Sequence, residues 1–367
     1  MSLRSSTWRM TSRQSHLQAD TTAMPSTVAL NFCLALTNPG IKIWSEYDLN
    51  IKTDKPLSAG RGAFALVERG ETPDKTPIVV KKSLRLAGLQ YADQSAAFST
   101  HLRQLCLELR VMTHQSIRNH PNIVDILGIC AESSSGDPSI SLVLEFASLG
   151  TLHTFLSETS RMKNDAVLDC ASQILNGLEA LHDLRICHGD IKTRNILVFS
   201  QTSKLVYKVA DFGSCIAALT EDNLEEVGIP YGTPLYNAPE IRHWRISGLR
   251  FTIFDAISTD VFSFGLLIWE IALQGPSFFE GDWLNGGGES YSVEEWVERL
   301  ANLEHNQLLD ASLAYLAQEE LHLNILSCLR QVLRGSLQDH PEARLTTRGL
   351  KMLLDRPQRC SAGYNID

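Results

Sequence analysis

The chain has no surplus of positive charge. Its 33 Lys and Arg stand against 42 Asp and Glu, a formal net charge of −9. Duplex nucleic acid is held through a basic surface, so this balance disfavours nucleic acid as the main partner, a local basic patch aside. None of its eight cysteines (Cys33, Cys106, Cys130, Cys170, Cys187, Cys215, Cys328, Cys360) forms a C-x-x-C pair, which removes the usual zinc frameworks. Scattered cysteines in a chain of this length read as reduced, mostly buried thiols of an intracellular protein, cytoplasmic or nuclear. There is also no apolar run long enough to span a bilayer. Val28–Leu36 is short and contains Asn31, and Val261–Leu273 is short and carries Glu270, so a buried core helix is expected there. No internal repeat is visible, and oligomeric state is not legible.

What is present is enough sequence for two lobes. The 367 residues are 44% hydrophobic and 20% charged, ordinary values for a globular protein with a sizeable core. Residues 1–27 hold 11 Ser or Thr, three Arg and a single acid, Asp20, with no hydrophobic period. That composition predicts a disordered extension, drawn here to residue 44; a mitochondrial presequence is the lesser alternative. From about Ile43 the pattern turns strand-like. Ala63–Glu68 and Ile78–Lys82 are strand runs separated by Gly70-Glu71-Thr72-Pro73-Asp74, and Ile140–Phe146 reads as a buried strand. Residues 95–117 read as a helix with Leu102, Leu105, Leu109 and Met112 on one stripe. Ala166–His182 is amphipathic through Val167, Ala171, Ile174, Leu175, Leu178 and Leu181. After Glu240 the chain reads mostly helical. The loop Gln274–Ser292, with Gly286-Gly287-Gly288 and several acids, is expected to be an exposed insertion.

Chemistry concentrates in His188-Gly189-Asp190-Ile191-Lys192-Thr193-Arg194-Asn195, with Asp211-Phe212-Gly213 following. One carboxylate that can take a proton from a hydroxyl, an amide, and a second carboxylate on a glycine hinge suit phosphoryl transfer, the last two as oxygen ligands for Mg²⁺. The stretch resembles the catalytic loop and metal-binding motif of protein kinases. Gly60-Arg61-Gly62-Ala63-Phe64-Ala65-Leu66-Val67 resembles their glycine-rich loop, Ile78-Val79-Val80-Lys81 their strand lysine motif, and Leu144-Glu145-Phe146-Ala147 their hinge. Gly232-Thr233-Pro234-Leu235-Tyr236-Asn237-Ala238-Pro239-Glu240 resembles the end of the activation segment.

The resemblance covers roughly residues 46 to 355. It implies an α+β two-lobed kinase fold over residues 45–355: a small antiparallel β lobe with one regulatory helix (about 45–145), a larger helical lobe (about 146–355) and a tail at 356–367. ATP would lie between the lobes. Asp190 would accept the substrate hydroxyl proton and Lys192 would neutralise charge on the transferred phosphoryl group. Lys81, rather than its neighbour Lys82, would bind the nucleotide phosphates and pair with Glu108. Gly60, Gly62, Val67, Lys81, Glu145, Ala147 and Leu197 would contact ATP, with adenine held by backbone groups of Glu145 and Ala147. Asn195 and Asp211 would bind Mg²⁺. Glu240 would pair with Arg344, and Asp260 would be the helix-start aspartate supporting the catalytic loop, doubling as an N-cap.

Lys192 and Thr233 resemble the serine/threonine class, so the expected partners are ATP and proteins with Ser or Thr acceptors. The run Phe262–Glu270 is similar to tyrosine-kinase-like families. Gly189 stands where many of these kinases carry an arginine that binds an activation-segment phosphate, so activity is expected not to depend on a phosphate at Ser214 or Thr220. Val79 and Ala65 depart from the usual alanine and glycine. They give weight to a first alternative, a pseudokinase scaffold. A second alternative is a small-molecule phosphotransferase of the aminoglycoside-kinase type, which shares His-Gly-Asp with Asn five residues on. The acids Glu221, Asp222, Glu225 and Glu226 are expected to solvate the activation segment.

Overall fold

The computed structural model describes residues 41–52, 65–83, 104–132, 139–159, 162, 164–202, 204–218, 227–230, 232–247, 251–274, 277–280, 291–318 and 321–355. Residues 60–64 of the glycine-rich loop, the extension at 1–27, Thr220 with its neighbouring acids, and Gly286-Gly287-Gly288 lie outside them. The chain divides into two compact units, the first running to Ala147 and the second beginning at Ser148.

The first unit is built on a six-stranded sheet in the order β1-β5-β6-β4-β3-β2. The strands are β1 (Lys42–Ser45), β2 (Asn50–Lys52), β3 (Ala65–Glu71), β4 (Pro77–Ser83), β5 (Ile126–Glu132) and β6 (Ser139–Glu145). A wholly antiparallel sheet was the expectation; the pairing of β1 with β5 is parallel. The reason is local. Trp44 buries its indole with Leu49, Ile78, Val80, Cys130 and Val143, and it reaches that core by lying over Gly128. A Cβ at Gly128 would come within 2.3 Å of the Lys42 carbonyl and 2.7 Å of the Trp44 ring nitrogen. Residues 104–113 form helix α1, burying Leu105, Leu109 and Met112. Residues 114–117, expected to continue it, turn instead.

In β4, Ile78 and Val80 face the core, so Val79 and Lys81 share the opposite face. Cross-strand register adds Val67, opposite Lys81, and Leu144, opposite Val79, to that same face.

The second unit is mainly helical: α2 (Leu152–Glu158), α3 (Asn164–His182), α4 (Pro239–Ser247), α5 (Ile253–Leu273), α6 (Val293–Ala301), α7 (Gln307–Leu316), α8 (Leu323–Ser336) and α9 (Thr347–Leu354). Two short ribbons accompany them: β7 (Ile186–Cys187) with β10 (Ile216–Ala217), and β8 (Ile196–Gln201) with β9 (Lys204–Val209). Every residue of the expected α3 stripe, from Val167 to Leu181, is fully buried. Helix α5 has the length and apolar composition of a membrane span, yet 83% of its most apolar window is buried inside the protein, as a core helix requires. It begins earlier than the apolar run. Thr252 and Asp255 cap each other's backbone N–H groups at 3.3 and 2.8 Å, forming a capping box. Asp260 therefore lies inside the helix and caps nothing, contrary to the helix-start expectation.

The loop after α5 also differs from expectation. Ser277 and Phe278 are buried, and the Phe278 ring packs on Tyr236, Trp269 and Phe279 at 5.4–5.8 Å. An aromatic pair has too much apolar surface to leave in water, whatever its loop.

The crowding at Gly128 predicts that Gly128→Ala loosens β1 from β5. The expected loss is about 1–3 kcal/mol in urea unfolding followed by tryptophan fluorescence. A variant within about 0.5 kcal/mol of the parent would show that the contact relaxes freely.

Candidate active site

In the first unit, Lys81 Nζ lies 2.7 Å from Glu108 Oε1, with side chains 16% and 6% exposed. A lone buried glutamate on α1 would be costly, and the lysine supplies its counter-charge. Lys82 points to the other face and pairs with Glu68 at 2.9 Å. Strand alternation thus puts Lys81, not Lys82, beside Val67 and Val79. At the end of β6, the Glu145 carboxylate accepts from the Asp125 backbone N–H at 2.7 Å, and the Glu145 N–H donates to the Asp125 carbonyl at 3.2 Å. These bonds fix the strand end that leads to the buried Ala147. Gly60 and Gly62 fall outside the described residues.

In the second unit, the Asp190 carboxylate is the centre of a tight cluster. Oδ1 accepts from the Thr233 backbone N–H (2.8 Å) and from its hydroxyl (2.7 Å). Oδ2 accepts from Lys192 Nζ (2.7 Å) and Asn195 Nδ2 (2.9 Å). Lys192 also donates to Thr233 Oγ1 at 2.6 Å, and Asn195 Nδ2 to the Asp190 carbonyl at 2.7 Å. Burial alone would raise the Asp190 pKa. The charge and hydrogen bond of Lys192 and the two Thr233 donors outweigh it and hold the carboxyl below its ordinary value.

Asp211 is exposed and adopts a left-handed backbone (φ 67°), which aspartate tolerates better than most residues. Its neighbour Ala210 donates its N–H to the Asn195 carbonyl at 2.9 Å, which brings the β9 exit to the loop that carries Asn195. Leu197, two residues past Asn195, lies half-buried on β8. His188 Nε2 lies 3.0 Å from the Ala210 carbonyl, while its Nδ1 accepts from the Asp190 N–H at 3.2 Å. Those two contacts tie the imidazole to both chain segments, so His188 braces the loop.

Two buried carboxylates on α5 hold this cluster in place. Asp260, 1% exposed, accepts from the backbone N–H groups of His188 (2.7 Å) and Gly189 (2.8 Å) and lies 2.9 Å from His182 Nε2. Glu270, 2% exposed, accepts from the hydroxyls of Thr193 (3.1 Å) and Tyr236 (2.7 Å). Burial, together with Glu270, pushes the Tyr236 phenol far up, so it stays a donor. Arg344 and Glu240 form a two-pronged pair at 2.6 and 2.7 Å.

The contacts of Thr233 with Asp190 and the Glu270 bridge were not foreseen from sequence. The signal for Glu270 was there: a carboxylate inside an apolar run must find donors once buried. Cys187 and Cys215 flank the site. Burial, then the Asp260 charge, pushes the Cys187 thiol up, which keeps it protonated and unreactive.

Gly189 has a direct structural reason. Its φ is +78°, and a Cβ there would approach the Ser214 carbonyl to 2.6 Å. Gly232 faces it, its own missing Cβ only 2.1 Å from the Gly189 carbonyl. Gly189→Ala should cost about 1–3 kcal/mol in thermal or urea unfolding, and Gly189→Arg no less. A stable, fully folded Gly189→Arg protein would refute the steric account.

A family model described as protein kinase domain matches residues 55–355. A probable serine/threonine-protein kinase, fhkD of Dictyostelium discoideum, is 31% identical over 275 residues, 72% of this chain and 35% of that protein. Mitogen-activated protein kinase kinase kinase 3 of Arabidopsis thaliana is 28% identical over 231 residues, 63% of this chain and 32% of its own length. The tyrosine-protein kinase Abl of Drosophila melanogaster is 38% identical over 161 residues, 43% of this chain and 9% of that protein. The chain thus spans about a third or less of the length of these relatives. With the match extending over both units that carry the clusters above, the chain belongs to the protein kinase family.

Proposed function

We propose that this protein is an ATP-dependent kinase that transfers the γ-phosphate of Mg·ATP to serine or threonine hydroxyls of protein substrates. The observation that carries the reading is the closed set of contacts among Asp190, Lys192 and Thr233. Asp190, held ionised, is the acceptor for the substrate hydroxyl proton. Both its oxygens already take two donors, so an incoming hydroxyl must displace one. The Thr233 hydroxyl is suited to yield, since it can rotate its proton away while its oxygen goes on accepting from Lys192. Lys192 then faces the transferred phosphoryl group as a fixed positive charge.

The sheet face bearing Val67, Val79, Lys81 and Leu144 suits the nucleotide, with Lys81 oriented by Glu108 toward its phosphates. Asn195 spends its Nδ2 on Asp190, which leaves the amide oxygen as a hard donor, and Asp211 offers an exposed carboxylate. The pair fits Mg²⁺, which takes few protein ligands and completes its shell with phosphate and water. When bound, the ion would neutralise phosphate charge.

The relatives named as serine/threonine kinases support the acceptor class, and the likeness to Abl favours tyrosine as the second reading. An intracellular setting belongs to the same proposal, supported by eight scattered cysteines with no C-x-x-C pair among them.

The deciding experiment offers labelled Mg·ATP and a generic basic protein to the parent and to Asp190→Asn, followed by phosphoamino-acid analysis. Phosphoserine or phosphothreonine from the parent alone is expected. Phosphotyrosine would move the acceptor class, and no transfer by folded parent protein would favour the pseudokinase. Because the Asp190 pKa is depressed, the base is active above that pKa and is lost only as pH falls through it. Lys192→Met removes the largest lowering influence, so the acid limb of kcat/KM should shift to higher pH; an unmoved limb would show that Lys192 does not tune Asp190. Alanine at Ser214 or Thr220 should leave transfer intact, and loss of activity in a folded Thr220→Ala protein would overturn the phosphate-independent reading.

A further inference from the structure

The second unit carries a surface feature that phosphoryl transfer does not use. A cavity of about 590 Å³ opens between α4, α5, the end of α6, the start of α7 and residues 339–342. A second, of about 500 Å³, is lined by α6 residues, and Leu303 lines both, so the two adjoin there and are taken together as one groove. The floor is apolar: Phe251, Phe262, Leu300 and Leu308 are buried beneath it and Leu303 is half-buried at the junction.

Acids outnumber arginines on the rim, where His243, His305 and His340 also stand. Seven acids and two arginines line the groove. Four of the acids are committed within the fold, to Arg344, to two helix caps and to His305. The two arginines have uncharged partners and so offset only part of this negative charge. Arg242 donates to the Leu300 and Leu235 carbonyls, and Arg299 lies 3.7 Å over the Tyr291 ring. The carboxylates of Glu298 and Glu304 are exposed and without an ion-pair partner among the described residues. Glu342, 80% exposed, has only His340 at 4.0 Å. Three exposed carboxylates beside an apolar floor are complementary to a segment that carries both positive charge and an apolar side chain.

We infer that this groove docks a protein partner through a basic segment that presents an apolar side chain, the latter entering beside Leu303 and the former meeting Glu298, Glu304 and Glu342. Docking of this kind is a binding property. It can be measured without phosphoryl transfer, so its failure and the failure of the kinase reading are separable.

The probe is a fluorescein-labelled peptide with a central Leu-Phe pair between two Arg-Arg pairs, titrated with the full chain by fluorescence anisotropy. Saturable binding is expected. It should weaken roughly tenfold in Glu298→Lys/Glu304→Lys, two exposed sites whose reversal turns weak rim attraction into repulsion, and at least as much in Leu303→Asp. Replacing the Leu-Phe pair by two alanines should weaken binding comparably. Absence of binding to the parent would overturn the proposal. So would binding unchanged in the folded double variant, or binding that survives loss of the Leu-Phe pair, which would show charge attraction alone.

Discussion

The cluster around Asp190 depends on one buried carboxylate. Asp260 is almost fully withdrawn from water, yet it accepts from two consecutive backbone N–H groups at the start of the loop and meets His182 from α3. Charge-assisted bonds to backbone amides are short and directional, and in a dry setting they define position closely. Ten residues along the same helix, Glu270 grips Thr193 and Tyr236, so α5 holds the chain on both sides of Asp190 and Lys192. The apolar burial of that helix thereby fixes the cluster: a helix free to shift would carry both anchors with it.

The cluster also shows how steric and polar demands are met together. Asp190 can sit within hydrogen-bond reach of Thr233 only if the backbones at 189 and 232 nearly touch. Two glycines make that approach possible. A phosphate-binding arginine at 189 and this close seam are mutually exclusive, since the seam leaves no room for a side chain. Thr233 is instead held by Asp190 itself, so the loop that carries Asp190 and the segment that carries Thr233 share their contacts.

Much of this was readable beforehand. The α3 stripe follows a clean helical period, and strand alternation separates Lys81 from Lys82 without any tertiary knowledge. Asp190, Lys192, Asn195 and Asp211 stood out through spacing within one short stretch. What escaped detection was non-local. The reason for glycine at 189 is the Ser214 carbonyl, 25 residues away, and the position of Asp260 within its helix follows from a capping box at Thr252 and Asp255 that an apolar run obscures. In the loop after α5, the run of glycines coloured the reading of a segment whose Phe278-Phe279 pair demanded burial. The parallel strand β1 offers four residues with one buried side chain, too brief a pattern to declare its direction.

That strand has a further consequence. The four inner strands of the sheet are each seven residues long, whereas the two outermost, β1 and β2, have four and three. Exposed rims are where a sheet recruits foreign strands, and a rim of three or four residues offers few free backbone groups to copy. By laying Lys42–Ser45 along β5, the chain caps the long strand that would otherwise be open to such templating. Gly128 and Trp44 thus guard the small unit against self-association as well as filling its core.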